Sequence, residues 1–423
     1  MFPAINTPKS VDLRHRWLLT GLFVIANLYA AWVFLSSGDL DPEFSAIQAP
    51  RFSVLLLAAT GVVLSYWIFL WPIFRGLERI RILPYRALHP KVNGSAERVV
   101  GWFVFGLQVL FLYFVISEGT YIAGSMKKSD SLLKWVAIFL VPDSVFMVYY
   151  GLYRRSSQFY PNLLAYLISN FIRGWSGMWL YVIFFEIAHR VRAGRFRWQP
   201  VLVLLCAVAA LLPAVMYAKW TMRGFGGEFE ALGSTLDFSL GELYGVTFAW
   251  ISMRVQHLSS VLAAIQGGDA LRGALGSGSC QYFFEEGLPQ FVLYRLFGLN
   301  EVRDVHSMIP ELLLTLPVLD SESVSVVHLG LSGWIWLLPA WTPLYLVYVI
   351  GLGSIGVWMM KRMGGRGLAM DAIWLSWVLY LMNGWFAAYI SFLQGLVIIA
   401  ALRLVVGALQ RPWPLEPVRA AQT

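Results

Sequence analysis

Residues 154–197 read RRSSQFYPNLLAYLISNFIRGWSGMWLYVIFFEIAHRVRAGRFR, with two apolar runs between two basic clusters. Basic residues accumulate in cytoplasmic loops, so both ends of this stretch are predicted to be cytoplasmic. The chain must leave and return within about 34 residues, whereas two full spans need about 40. We therefore expect two short or tilted helices that turn at Arg173-Gly174, below the outer surface. At that depth Arg173 is expected to face protein, water or a bound anion, unless it snorkels to the interface.

The composition assigns this hairpin to an all-α polytopic membrane protein. The 423-residue chain is 58% hydrophobic and only 13% charged, about half the charged fraction of a soluble protein. Repeated apolar runs of about 20 residues predict membrane-spanning helices. The net charge of +8 comes from basic residues in short loops beside those runs. It therefore indicates topology and not nucleic-acid binding. Cys206 and Cys280 are not expected to form a disulfide.

The pattern predicts about ten transmembrane helices in three regions. Residues 1–217 form an N-terminal membrane block with spans one to seven, including the hairpin. Residues 218–333 form a large helical periplasmic segment. Residues 334–423 hold spans eight to ten and a cytoplasmic tail, so both termini are expected in the cytoplasm. The predicted spans are 17–36, 52–74, 99–122, 132–153, the two hairpin helices, 200–217, 341–360, 368–384 and 389–409.

The segment between spans seven and eight is predicted to contain a helix with two candidate site residues. Ser239 and Glu242 form an S-x-x-E capping box, and the helix is expected to continue to Gly267-Gly268. Arg254 lies in the middle of this helix, and His257 follows about one turn later on the same face. Arg254 is expected either to pair with a carboxylate or to bind a ligand.

Arginines on the predicted outer side are the main candidates for substrate binding. The sequence contains no P-loop, G-x-S-x-G, H-E-x-x-H or C-x-x-C motif, and the spacing of its histidines indicates no metal site. We expect no metal and no cofactor. Guanidinium donors match phosphate oxygens in pairs, so a basic outer cavity beside lipid suits a lipid-linked pyrophosphate. The arginines are Arg173, Arg223, Arg254, Arg272, Arg295 and Arg303.

Four residues of the outer segment are candidate proton acceptors for a sugar hydroxyl: His257, His306, Glu285 and Glu286. Each also has a plainer interpretation. His257 could form a hydrogen bond within its helix packing, and His306 could be a surface residue. The Glu285-Glu286 pair is typical of a solvated loop.

Asp143 and Asp371 are acidic residues within predicted spans. Asp143 follows Pro142, and the proline frees a carbonyl in the preceding turn. Asp143 could bind a proton or a cation, or it could support Arg173 as a structural partner. Asp371 lies near a cytoplasmic end and is expected to snorkel.

Three stretches resemble the Wzy-type polymerases of O-antigen and exopolysaccharide repeat units. They are LISNFIRGWSGMWLYVIFFEIAHRVR with Arg173, WISMRVQHLSSV with Arg254, and HLGLSGWIWLLPAWTPLYLVYVIGLGSIG with Gly330 and Gly333. The resemblance covers about residues 149–361 and consists of topology and arginine placement. It implies a GT-C-like fold in the bacterial inner membrane and undecaprenyl-pyrophosphate-linked oligosaccharides as substrates. It also implies inverting, metal-independent glycosyl transfer at the periplasmic face.

The resemblance assigns roles to the candidate residues. Arg173 and Arg254 would hold the pyrophosphate, with Arg223 as a further candidate, and His257 or His306 would be the base. The other expected partners are membrane lipid and a chain-length regulator, and no nucleic acid is expected.

Two alternative functions stay open. The related O-antigen ligases use a histidine base, and His306-Ser307 with Gly330-x-x-Gly333 is similar to their pattern at a longer separation. A lipid-linked oligosaccharide flippase or other transporter is the second alternative. The large outer segment and the lack of a recognisable internal repeat weigh against a transporter.

Overall fold

The computed structural model describes residues 12–38, 50–85, 88, 94–121, 131–175, 177–203, 206–207, 209–211, 244, 255–287, 289–290, 292, 297, 302–306, 308–309 and 328–409. The described part of the protein is mostly helical (79%). In chain order the helices used below are α1 (Arg14–Ser37), α2 (Phe52–Arg79), α3 (Gly94–Glu118), α4 (Leu133–Leu140), α5 (Pro142–Tyr153), α6 (Phe159–Ile172), α7 (Met178–Arg192), α8 (Leu258–Gln266), α9 (Gly268–Gly276), α10 (Gly330–Leu337), α11 (Thr342–Arg362), α12 (Leu368–Leu381) and α13 (Phe386–Leu409).

Six of the helical segments are long and apolar enough to cross a membrane, with mean hydropathy between 1.6 and 2.3. Large apolar side chains point outward from them, such as Ile25, exposed by 66%, and Val347, exposed by 68%. Such a surface is unfavourable in water and favourable against lipid. The protein is therefore a membrane-embedded helical protein.

The six long segments coincide with predicted spans one to four, eight and ten. The predicted span nine is shorter: α12 has nine α-helical residues followed by five π-helical residues, Trp377–Leu381. Its side chains are nearly all buried, so α12 is a core element. Half of the predicted span seven, including residues 212–217, lies outside the described residues.

The predicted hairpin consists of α6 and α7, which have 14 and 15 residues. The chain turns at Arg173 and Gly174, as the spacing of the basic clusters predicts. Gly174 has a φ of 68°, the left-handed conformation that commonly ends a helix. The Arg173 guanidinium lies 4.9 Å from the ring centre of Phe111, about two turns, or roughly 10 Å, before the end of α3 at Glu118. The turn thus lies below the end of its neighbouring helix.

One helix of the segment 218–333, α8, packs inside the bundle. In α8, every side chain from Leu258 to Ala264 is buried, and these residues share one hydrophobic core with the long helices. Asn27 of α1 caps the start of α8, because its Oδ1 accepts hydrogen bonds from the backbone N–H groups of His257 at 2.8 Å and Leu258 at 3.0 Å. Asn27 lies near the middle of α1, so α8 reaches deep into the bundle.

This cap corrects one sequence prediction. A continuous helix through residue 257 is wrong, because Gln256 and His257 are not helical and α8 begins at Leu258. The side chains of Asn27 and Gln256 take the first backbone donors of α8, so a new helix starts there. The predicted end at Gly267 is confirmed, since α8 ends at Gln266. The Ser239-Glu242 capping box lies outside the described residues.

Asp371 is a second correction, because it is fully buried and does not snorkel. Its carboxylate accepts hydrogen bonds from His15 Nε2 at 2.9 Å, Arg16 Nε at 2.9 Å and the Arg192 guanidinium. Arg16 also donates two hydrogen bonds to Glu78, each of 2.9 Å. Two arginines compensate the buried carboxylate, so it has no need to reach the interface.

Candidate functional site

A buried carboxylate–histidine pair forms the centre of the candidate site. The Oε1 atom of Glu286 lies 3.0 Å from Nε2 of His306, and the two side chains are exposed by only 5% and 3%. The expectations of a surface His306 and a solvated Glu286 are therefore wrong. The other glutamate, Glu285, turns back on its own loop, where its Oε2 accepts the backbone N–H of Tyr282 at 2.8 Å.

A short backbone pairing brings these two residues together from sequence positions 20 apart. Gln281 donates its backbone N–H to the carbonyl of Arg303 at 2.9 Å and its side-chain amide to the carbonyl of Val302 at 2.6 Å. Cys280 and Arg303 form the associated β-bridge. The loop with Glu286 and the segment with His306 are thus fixed to each other three to five residues away from the pair.

A series of ring contacts connects His306 to the hairpin arginine. The ring centres of His306 and His328 are 4.6 Å apart, and those of His328 and Trp385 are 4.7 Å apart. Trp385 is nearly parallel to Trp175 at 6.3 Å. The Arg173 guanidinium lies 5.8 Å from the Trp175 ring. Two of the five predicted site residues, Arg173 and His306, therefore belong to one continuous cluster.

Arg173 is 3% exposed and is held by an ion pair. Its Nη2 donates to Asp143 Oδ2 at 2.7 Å and to Asn170 Oδ1 at 2.9 Å. The sequence left open whether Asp143 supports Arg173, and this pairing favours the supporting role. The Asp143 side chain is 37% exposed, so the ion pair has one accessible side. The Nη1 amino group of Arg173 donates to none of the described residues, which leaves one edge of the guanidinium for a ligand.

A break in predicted span four places Asp143 beside the hairpin. Val141 separates α4 from α5 with a φ of 34°, which is rare for a β-branched residue. Pro142 then begins α5, and Asp143 lies in its first turn. The break follows from the proline, which cannot continue the hydrogen bonding of α4. The carboxylate consequently faces Arg173 at the level of the hairpin turn.

His257 occupies a different environment. It is 6% exposed, and its Nδ1 lies 2.8 Å from the hydroxyl of Tyr66 in α2. A Tyr66 hydroxyl that donates to Nδ1 leaves the ring proton on Nε2. The Nδ1 lone pair is then already occupied by the Tyr66 hydroxyl. Packing within the bundle accounts for this residue.

Two glycines, Gly330 and Gly384, are in close contact near the centre of the site. Gly330 has a φ of 73° and donates its N–H to the carbonyl of Asn383 at 3.0 Å. A Cβ atom on Gly384, whose φ is 67°, would lie 3.2 Å from the carbonyl oxygen of Gly330. His257 lies beside this contact, since a Cβ on Gly330 would be 3.4 Å from the Cβ of His257. Only glycine fits such conformations without strain.

Some predicted site residues are not among the described residues, and some residues of the site were not predicted. Arg254 and Arg223 lie outside the described residues, as does Arg295. The sequence reasoning did not find His328, Trp385 or Asn27. His328 had an available signal, because it lies two residues before Gly330 of the resembling stretch. In the described part of the chain, no group of three or more histidine, cysteine or acidic residues is arranged to hold a metal ion.

No protein-family model matches this chain, and no curated protein or solved structure is significantly similar to it.

Proposed function

We propose that this protein is a membrane glycosyltransferase that polymerises undecaprenyl-pyrophosphate-linked oligosaccharide repeat units into an O-antigen or exopolysaccharide. The observation that carries the proposal is the ring-contact series between His306 and Arg173. A polymerase of this kind needs a proton acceptor for the attacking hydroxyl and a cation for the departing pyrophosphate. His306 and Arg173 supply these two groups within one cluster.

In the proposed reaction, a sugar hydroxyl of the incoming unit attacks the anomeric carbon of the growing chain. The bond from that carbon to the pyrophosphate oxygen breaks, and the electron pair leaves with the pyrophosphate. His306 accepts the hydroxyl proton. Arg173, and Arg254 by resemblance, stabilise the negative charge that develops on the leaving group. Such stabilisation is strongest where water is excluded, and Arg173 is nearly fully buried.

The aromatic rings between the two groups are suited to a sugar. The Trp175 ring is 39% exposed, and it lies nearly parallel to Trp385. An exposed aromatic ring offers an apolar flat face beside polar groups. In the proposal this surface carries the sugar residues between the base and the phosphate-binding arginine.

The finer features of the assignment belong to the same proposal. They are a GT-C-like fold with about ten spans, a location in the bacterial inner membrane, cytoplasmic termini and inverting transfer without a metal. They rest on the resemblance and on the distribution of basic residues.

The O-antigen ligase is the second candidate, and one observation favours it. Ligases of that family use a histidine base, and His306 is the histidine whose environment here suits that role. A ligase would transfer the finished lipid-linked glycan to a separate acceptor and would not extend it.

A deletion strain distinguishes the candidates. We expect deletion to leave surface glycan with a single capped repeat unit, and the wild-type gene to restore a ladder of lengths on a gel. Lipid-linked polymer that never reaches its acceptor would contradict the polymerase and favour the ligase. Repeat units that accumulate on the cytoplasmic leaflet would contradict both and favour a flippase.

A further inference from the structure

Glu286 is a buried carboxylate with a hydrogen-bond partner on only one of its two oxygens. Its Oε1 pairs with His306, but its Oε2 is buried and receives no hydrogen bond from any described residue. Burying a carboxylate is strongly unfavourable unless its lone pairs are compensated. Compare Asp371, also buried, whose carboxylate accepts from His15, Arg16 and Arg192. A carboxylate kept for stability alone is expected to resemble Asp371.

The loop that carries Glu286 is nevertheless held rigidly. Phe283 is inserted among Trp334, Tyr345 and Tyr348, with ring centres 4.9 to 5.7 Å away. Gly287 has a φ of 77°, and a Cβ there would lie 2.9 Å from Cα of Ala387 in α13. The loop is thus fixed against both α11 and α13, so the costly carboxylate is kept in one place.

Two tyrosine hydroxyls lie near Glu286 and do not compensate it by a hydrogen bond. Tyr345 and Tyr348 both lie within electrostatic range of the Glu286 carboxylate. Their hydroxyls have no hydrogen-bond partner among the described residues. Among the described side chains, the hydrogen-bond partner of the Glu286 carboxylate is His306.

We propose that Glu286 is a positioning residue for His306. Its carboxylate holds the imidazole proton on Nε2, so that Nδ1 is the nitrogen that accepts a proton. When Nδ1 takes the proton of the attacking hydroxyl, Nε2 keeps its own proton, and the new imidazolium is stabilised by the carboxylate 3.0 Å away. The catalytic part of this inference rests on the proposed function, whereas the choice of ring tautomer does not.

The tautomer can be measured without any enzymatic assay. The protein is labelled with ¹⁵N in its histidine rings and purified in detergent, and the His306 signals are assigned by their loss in His306→Asn. We expect a protonated Nε2 and an acceptor-type Nδ1 in the wild type. In Glu286→Gln the amide can instead donate to Nε2, so the proton should move to Nδ1. The matched control is Glu285→Gln, the same change one residue away, which should leave the His306 signals unchanged.

A kinetic comparison tests the catalytic part. The substrate is the lipid-linked repeat unit that a deletion strain accumulates. We expect Glu286→Gln to lower kcat by about 100-fold or more, because His306 with its proton on Nδ1 cannot accept the hydroxyl proton there. KM should change little, because substrate binding does not depend on that proton transfer. Glu286→Asp, which keeps the charge, should recover part of the rate, and Glu285→Gln should retain wild-type kcat.

The tautomer measurement and the kinetic measurement distinguish failure of the positioning role from failure of the proposed function. A wild-type His306 with its proton on Nδ1, or signals that do not respond to Glu286→Gln, would overturn the positioning role. An unchanged kcat in Glu286→Gln would overturn it as well. A wild-type protein that shows the expected tautomer but forms no polymer would instead overturn the proposed function and leave the Glu286–His306 arrangement standing.

Discussion

The carboxylate of Asp371 and the guanidinium of Arg16 lie 2.9 Å apart in the protein interior, with side-chain exposures of 0% and 1%. This pair connects α1 to α12, and Arg192 connects α7 to the same carboxylate. Removing the charge at Asp371 would leave the buried Arg16, the partly buried Arg192 and the buried His15 without their shared acceptor.

We therefore expect Asp371→Asn to destabilise the protein strongly. Breaking a buried ion pair from one side costs about 3–5 kcal/mol. The measurement is the Tm of the detergent-purified protein. Asp12→Asn is the matched control, because Asp12 pairs with Arg14 at the exposed surface and such pairs contribute little. Equal Tm values for the two variants would contradict the account of this network.

Cys280 is expected to resist alkylation. Burial raises the pKa of its thiol to about 12, and the thiolate is the reactive form. Relative to an ordinary thiol with a pKa near 8.5, labelling by N-ethylmaleimide at pH 8 should be slower by more than about 100-fold. The test uses Cys206→Ser, whose one remaining cysteine is Cys280. Labelling should become fast after unfolding in SDS.

The comparison variant is Cys206→Ser/Cys280→Ser/Ser277→Cys, which has one cysteine at an exposed position near Cys280. Ser277 is exposed, so a cysteine there should react in the folded protein. Rapid labelling of Cys280 in the folded protein would show that the β-bridge region beside the Glu286 loop is open to reagent.

Part of the architecture could be predicted because it depends on the number of residues between basic clusters and on the length of apolar runs. The hairpin follows from the short interval between two basic clusters, and the position of Arg173 follows from the hairpin. The long spans follow from their apolar length. The hairpin depends on the spacing of charged residues, and the long spans depend on the length of apolar runs. Both can be counted in a single sequence.

The partners of the buried polar groups could not be predicted in the same way. His15 and Asp371 are 356 residues apart, and no local pattern connects them. Asn27 caps a helix that begins 231 residues later, so sequence alone extended that helix past its true start. Glu286 looked like a loop residue because its burial depends on where Phe283 and Gly287 fix the loop.

The contact between Gly330 and Gly384 should tolerate no side chain. Gly384→Ala places a Cβ 3.2 Å from the Gly330 carbonyl in a backbone conformation that costs about 1–3 kcal/mol for other residues. We expect a lower Tm and a reduced rate of polymer formation. Gly351→Ala in α11 is the control, since a Cβ there meets nothing within 4 Å. A Gly384→Ala protein as stable and active as the control would contradict the tight centre of the site.

The Arg173–Asp143 pair allows support and substrate binding to be separated. Arg173→Ala should abolish the glycan ladder, and Asp143→Ala should reduce protein stability. If Arg173 served only to neutralise Asp143, the double variant would recover the ladder, because no unpaired charge remains. We expect no recovery, since the proposed phosphate contact is still missing.

The control for this experiment is an exposed arginine–aspartate pair at the start of α1. Arg14 and Asp12 form this pair at 2.5 Å, so Arg14→Ala should keep the ladder at matched protein levels. Recovery of the ladder in the Arg173→Ala/Asp143→Ala variant would assign Arg173 a structural role and remove it from the proposed mechanism.

The most direct test of the central claim is polymer formation by the purified protein. The protein is reconstituted in liposomes and supplied with lipid-linked repeat units from a deletion strain, and the glycans are separated by length. The account predicts a ladder with wild-type protein, and none with a His306→Ala variant that keeps the wild-type Tm. A wild-type protein that leaves every repeat unit at its original length, or a His306→Ala protein that makes the full ladder, would contradict it.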